Sequence, residues 1–264
     1  MSSPQAGRQR PTLPPGLLPA ALGAAGLAAV MALLPILGDE DVSFAEQVLA
    51  YALAVVPIGV LDFGLLALAA SLSTPQVLLA GAAAGLLGAA AVYLAERPDA
   101  LAGGAAPLPL ALLFLADAGR ICFAAALALA LARRINSVGV AFLVAAVATA
   151  ADLFSVLAGP TKALVEEGSP ALDFLLVIFP TFGQPLGFAL GVADFVFLAL
   201  FAAIARHLSL RPVPTLALGC AAIIAAMLAG LILGTYLPAL PFIALSFVLA
   251  NADLALKSFR KTPD

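Results

Sequence analysis

Residues 138–158 read VGVAFLVAAVATAADLFSVLA, an apolar run whose only charged residue is Asp152. A helix crossing the hydrocarbon core of a bilayer needs about 20 predominantly apolar residues, and this run is that long. Outward from it, similar runs recur at 17–37, 48–71, 77–95, 107–132, 186–206, 214–234 and 238–256. The pattern predicts an all-α, polytopic membrane bundle of about eight transmembrane helices. Composition agrees. Hydrophobic residues make up 64% of the 264 and charged residues 10%, whereas soluble domains carry about 45–50% and about 25%.

The chain divides by character. Residues 1–15, polar and proline-rich with Arg8 and Arg10, read as a disordered N-terminal tail. Residues 16–137 hold transmembrane helices 1–4, residues 138–258 hold helices 5–8, and 259–264 form a short C-terminal tail. The first run reads as a retained helix rather than a leader, because Leu37-Gly38-Asp39 offers no small-x-small cleavage site. The apolar segment 171–180 is too short to cross and is followed by Gly183 and Pro185, so it is expected to be re-entrant or packed on the bundle. A net charge of −3 argues against a nucleic-acid partner. Cys122 and Cys220 fall in apolar spans, which argues against a disulfide framework. No residue pattern suggests a metal or an organic cofactor. The lipid bilayer is the expected surrounding.

Basic residues orient the bundle. Arg8 and Arg10 precede helix 1, Arg133 and Arg134 follow helix 4, Arg206 and Arg211 flank the link after helix 6, and Lys257, Arg260 and Lys261 close the chain. With eight helices, all of these fall on the cytoplasmic side if both termini do. The acidic link of Asp39, Glu40, Asp41 and Glu46 then lies outside with the connection 159–185; Lys162 is the exception.

Five ionisable residues sit inside the runs: Asp62, Asp117, Arg120, Asp152 and Asp194. A charge at the centre of a spanning helix costs ~2.5–3.5 kcal/mol on insertion scales, so each needs a reason. Asp117 and Arg120 are three apart and can pair on one helix face. Asp62 is expected either to bond a neighbouring helix or to border a water-filled cavity. Asp253 has Lys257 one turn later as a local partner. Asp152 and Asp194 differ because they fall near one membrane surface on consecutive, antiparallel helices, roughly 9 and 12 Å deep at 1.5 Å per residue. Two facing carboxyls in a low dielectric cannot both ionise freely and would share a proton. One can then deprotonate water while the other donates to a carbonyl, the chemistry of aspartic proteases. The same depth match also suits proton- or ion-coupled transport.

The local sequences add a resemblance. Ala151-Asp152-Leu153-Phe154-Ser155-Val156 resembles the first aspartate motif of the presenilin and signal peptide peptidase family of intramembrane aspartyl proteases. Residues Gly159 to Glu166 are similar to the presenilin stretch that follows it. Gly191-Val192-Ala193-Asp194-Phe195 resembles the family's Gly-x-Gly-Asp. Leu237-Pro238-Ala239-Leu240-Pro241 contains its Pro-Ala-Leu motif at the start of the last helix. Ile178-Phe179-Pro180 is similar to a segment that signal peptide peptidases carry before the second aspartate. Ala151 stands where the family has tyrosine, Ala193 where it has its second glycine, and eight spans where it has nine. The resemblance covers residues 138–256 and implies a prokaryotic-like member in a cytoplasmic membrane. It implies Asp152 and Asp194 as catalytic residues, Pro238, Ala239 and Leu240 as the substrate-binding stretch, and transmembrane helices or remnant signal peptides as partners. Gly187 and Gly191 are expected to let helices pack closely near the site, and the methyl of Ala193, on the same packing face, to hold helices 5 and 6 slightly apart. A non-catalytic relative that binds membrane helices remains an alternative.

The charge distribution generates a topology prediction. A reporter active only outside the cytoplasm is expected to be silent when fused after Lys261 and strongly active when inserted at Gly168. The reverse pattern overturns the orientation.

Overall fold

The computed structural model describes residues 14–38, 42–95, 107–159, 175–235 and 237–260. Most of the N-terminal tail, the end of the C-terminal tail, the Asp39, Glu40 and Asp41 link, and residues 160–174 with Lys162 lie outside the described residues.

Local chemistry sets where the helices begin and end. Ser43 opens the second helix with a reciprocal cap: its Oγ accepts from the Glu46 N–H at 3.3 Å, and the Glu46 carboxylate accepts from the Ser43 N–H at 2.7 Å. Ser137 caps the fifth helix by accepting from the Val140 N–H at 3.3 Å. Gly234, at φ 62°, ends the seventh helix in the left-handed conformation that glycine adopts freely. The helices so bounded are α1 Leu17–Leu33, α2 Phe44–Leu68, α3 Thr74–Ala95, α4 Pro107–Ala132, α5 Val138–Ala158, α6 Val192–His207, α7 Pro212–Leu233 and α8 Leu240–Arg260. Short 3-10 turns, Leu34–Ile36 and Ala69–Ser71, extend α1 and α2.

Seven of these helices are long and apolar enough to cross a membrane, so the chain is a multi-pass helical bundle. The expected eighth, running from residue 186, is not among them. Residues 186–191 belong to a strand, and α6 keeps only 16 residues. Of the segment 171–180, residues 171–174 lie outside the described residues, and 176–180 are packed on the bundle as a strand rather than a loop. Strand β1, Leu176–Thr181, pairs antiparallel with β2, Gln184–Gly191, through a turn at Gly183, where φ is 70°. Pairing gives the backbone of both segments partners that a broken helix would lack. A strand rises about 3.3 Å per residue against 1.5 Å in a helix, so β2 carries the chain into the bundle in few residues.

The hairpin is embedded. Val177 and Phe179 of β1 are 0% exposed, and β1 packs on α1, α2 and α4. The Gly183 N–H at its tip donates to the Leu34 carbonyl at 3.1 Å, which ties the tip to the end of α1. Elsewhere small residues set the spacing between helices. A Cβ on Gly119 of α4 would come within 2.9 Å of the Gly88 Cα on α3, so these backbones pass almost in contact.

α8 is the wedge of the second half. α5 packs chiefly against α8, whereas α6 packs on α4, α7, α8 and α2. Phe247 of α8 stacks on Phe201 of α6 with ring centroids 4.8 Å apart and meets Phe142 of α5 at 5.5 Å. Aromatic pairs at these distances add to what burial alone contributes. Direct packing of α5 on α6, the sequence expectation, gives way to packing through α8.

The far end of α8 is locked by polar contacts. Buried Asn251 accepts from the Arg211 N–H at 3.0 Å and donates to Thr215 Oγ1 and to the Phe247 carbonyl, each at 2.9 Å. Arg211 forks onto Asp253 at 3.0 and 2.8 Å. That replaces the expected Asp253–Lys257 pair, since a guanidinium matches both carboxylate oxygens at once. Asn251→Leu leaves the Arg211 N–H and Thr215 hydroxyl without this partner. It is expected to lower stability by about 1–3 kcal/mol, measured by thermal unfolding in detergent, with no change in any activity per folded molecule.

Candidate functional site

The site forms where α5 ends, α6 begins and α8 begins. Asp152 lies on α5, six residues before Ala158, and is half-buried. Its Oδ2 accepts from the backbone N–H of Leu240 at 3.2 Å. That amide is available for a chemical reason. Leu240 is the first residue of α8, where backbone N–H groups have no partner within the helix. Pro241 has no N–H to offer, and the Ala239 carbonyl already accepts from Phe242 and Ile243 at 3.0 and 3.1 Å. The Leu240 N–H therefore turns outward, to a carboxylate. Pro238, Ala239 and Leu240 are all buried, so the stretch is held as part of the bundle rather than as a surface loop. The positive end of the α8 dipole faces the same carboxylate.

Asp194 lies in the first turn of α6, nearer the helix start than the sequence suggests, because that helix begins at Val192. Its Oδ2 accepts from the Gly191 N–H at 3.2 Å, so the side chain reaches back to close its own helix end. Asp194 and Asp152 lie within Coulombic range of one another. Each carboxyl thus accepts from a backbone amide at a helix N-terminus, Asp152 at α8 and Asp194 at α6. Carboxyls in Coulombic range favour having one neutral and one ionised, an acid and a base in the same region.

The three small residues expected at a helix-packing face are placed differently. Gly187 lies in β2, where a Cβ would collide with the Thr181 side chain; it permits close approach within the hairpin, not between helices. Gly191 is the cap residue of α6, and a Cβ there would come within 3.2 Å of Asp194 Oδ2, crowding the carboxyl. Ala193 is exposed, so its methyl does not separate α5 from α6. For the two glycines the reason is shared: the segment is strand up to Gly191, and helical spacing does not apply to it.

The other intramembrane charges fall outside this pair. Arg120 donates to Asp117 Oδ1 at 2.8 Å, and Asp117 also lies near the Ile178 amide of β1. This pair supports the hairpin. Asp62 is 1% exposed, with no hydrogen-bond partner for either oxygen among the described residues, and lies in electrostatic range of Cys122 and Cys220. The expected bond to a neighbouring helix is not made. No group of metal-ligating side chains occurs among the described residues. Sequence reading missed the hairpin: Leu176-Val177-Ile178-Phe179 is uniformly apolar, so no alternation of residue types marks the strand.

No protein-family model matches this chain, and comparison with curated proteins finds no match.

The Leu240 contact separates shape from charge. Asp152→Asn keeps an oxygen for the Leu240 N–H and is expected to unfold within about 1 kcal/mol of the native protein. Asp152→Leu removes the acceptor and is expected to lose about 1–3 kcal/mol. Denaturant titration of both purified variants checks the difference.

Proposed function

We propose that this chain is an intramembrane aspartyl endopeptidase, presenilin-like in fold, that hydrolyses peptide bonds within transmembrane segments or remnant signal peptides. One observation carries the reading. Asp152, Asp194 and the Pro238-Ala239-Leu240 stretch, far apart in sequence, converge at one place, with Leu240 bonded to Asp152 and the two carboxyls in Coulombic range. The family resemblance of those three segments, stated from sequence, gives the convergence its chemical meaning.

The surroundings support it. A peptide bond inside a helix is shielded, so a substrate must be extended before attack. The sheet has two strands, and Gly187 and Ala189 leave β2 partly open beside the aspartates. An extended segment can add to such an edge through backbone hydrogen bonds. A strand edge at bilayer depth is tolerated only against protein or water, and hydrolysis needs that water. The ionised carboxylate takes a proton from water as its oxygen bonds to the carbonyl carbon, while the neutral carboxyl protonates the carbonyl oxygen. The resulting gem-diol collapses with C–N cleavage as the newly protonated carboxyl gives its proton to the departing nitrogen and the other, now ionised, carboxylate takes a proton from a diol hydroxyl. A carboxylic acid and an amine leave, and the pair regains one proton. No cofactor takes part.

Two single variants test the reading. Asp152→Asn and Asp194→Asn are each expected to lower cleavage of single-span peptides at least 1,000-fold without unfolding the protein, read by mass spectrometry of the products. A substrate mimic with a hydroxyl at the scissile position is expected to inhibit. Cleavage is expected without any ion or proton gradient; near-native cleavage by either variant overturns the assignment.

A further inference from the structure

The ion pair within α4 is costly enough to need a use. Asp117 and Arg120 meet at 2.8 Å with side chains 1% and 12% exposed. Taking two charges out of water costs about as much as their attraction returns, so apolar residues of similar volume would hold the helix as well. One carboxylate oxygen, Oδ1, accepts from the Arg120 guanidinium. The other, Oδ2, is buried with no hydrogen-bond partner of its own among the described residues. The backbone amide beside this carboxyl is that of Ile178, in β1.

The register of the hairpin shows what that amide is for. The Gly191 N–H donates to Asp194 Oδ2 at 3.2 Å, so it is not spent on its cross-strand partner Leu176. Rows that exchange backbone bonds alternate with rows that do not along an antiparallel ladder. Two residues on, Ile178 and Ala189 therefore form another row without mutual bonds, and the N–H and C=O of each point away from the partner strand. The place of the Ile178 amide, against Asp117, agrees. The two outer edges of the sheet thus differ. On β1, α4 packs alongside and sets a carboxylate at Ile178. On β2, the outward N–H and C=O belong to Ala189, which is exposed. Ala189 lies two residues before Gly191, about 7 Å at strand rise, and so offers backbone groups close to the amide that Asp194 holds.

We infer that Asp117 is a positioning residue for substrate: aimed by Arg120, it anchors Ile178 and so fixes the row whose other member, Ala189, presents its N–H and C=O to an extended substrate. The inference rests on the protease reading above and adds to it a residue that acts through the hairpin without touching substrate. A two-stranded hairpin is marginal by itself. Unanchored at this row, it would have to be ordered by the incoming strand, and that cost falls on binding. The chemical step is left as it was, because Asp152 and Asp194 are held by other amides.

The test replaces the pair in two ways. Asp117→Leu with Arg120→Leu removes the acceptor without leaving a lone charge, whereas Asp117→Asn with Arg120→Gln keeps an acceptor oxygen beside Ile178. On single-span peptides the leucine variant is expected to raise KM about tenfold at native kcat per folded molecule. The amide variant is expected to keep KM within about threefold of native. A merely structural loss would lower kcat through the active fraction and leave KM alone. Hydrogen exchange over residues 176–191 needs no cleavage. It is expected to quicken about tenfold in the leucine variant and to stay near native in the amide variant. Should the leucine variant not fold, Asp117→Ser with Arg120→Gln, whose hydroxyl is too short to reach the amide, takes its place with the same expectation. An unchanged KM, an equal rise in both variants, or equal exchange in all three proteins overturns the inference. If the native protein cuts no peptide, the protease reading fails and exchange alone decides whether Asp117 anchors the strand.

Discussion

A hydrocarbon interior offers no water to a backbone N–H or C=O, so each such group at bilayer depth needs a partner in the protein or a local water-filled space. This constraint organises the molecule more than any single contact. It explains why Arg133, at the end of α4, donates to the Ala69 and Leu72 carbonyls at 3.1 and 2.8 Å, closing the end of α2. It explains why the non-helical segment before α6 is a paired hairpin packed on three helices. Where the constraint is met by something other than helix, functional groups gather: the Leu240 amide turns to Asp152, and the Gly191 amide turns to Asp194.

α8 joins these places. Prolines at 238 and 241 leave its start short of donors, which directs the one amide at Leu240 to a neighbouring helix. Further along, Phe247 is fully buried between Phe142 and Phe201 and so holds α5 and α6 on either side of it. A pair of acidic helices packed directly would confine their carboxyls with little access. Separated by a third helix, the carboxyls stay within Coulombic range while the gap can admit chain and water. Ala193, exposed on the α6 first turn, fits that openness. The departure from glycine at this position therefore adds no steric block between the aspartate helices.

The buried charges are used unequally. Asp117 is neutralised by Arg120 at 2.8 Å and stands beside β1, so its cost supports the strand that frames the site. Asp62 has no such compensation among the described residues, and a carboxylate left that way at bilayer depth is expensive.

How much of this was legible in residues follows from what kind of physics each feature obeys. Bilayer-spanning helices declare themselves locally: length and apolarity are properties of consecutive residues, and seven spans stand close to where the sequence puts them. The Asp117–Arg120 pair is equally local, a matter of three residues on one helix face. Asp152 and Asp194 could be singled out because a charge within an apolar run is costly and needs a reason, and Pro238-Ala239-Leu240 because it resembles a family motif. That they share one membrane surface was expected from the sequence; the bond from the Leu240 amide to Asp152 could not be read, since it depends on α8 entering between α5 and α6 and on one amide left over at a helix start. The hairpin was hidden for a similar reason. Leu176–Gly191 is apolar enough for a helix, and only a partner strand, with α1, α2 and α4 to cover it, makes the extended form the better one. By itself, then, the sequence determined that this chain lives in a membrane as a bundle of helices and which residues there are too costly to be idle. Which of them face one another was decided by the tertiary structure, because pairing backbone and charge across the bundle is a property of neighbours that the chain does not list in order.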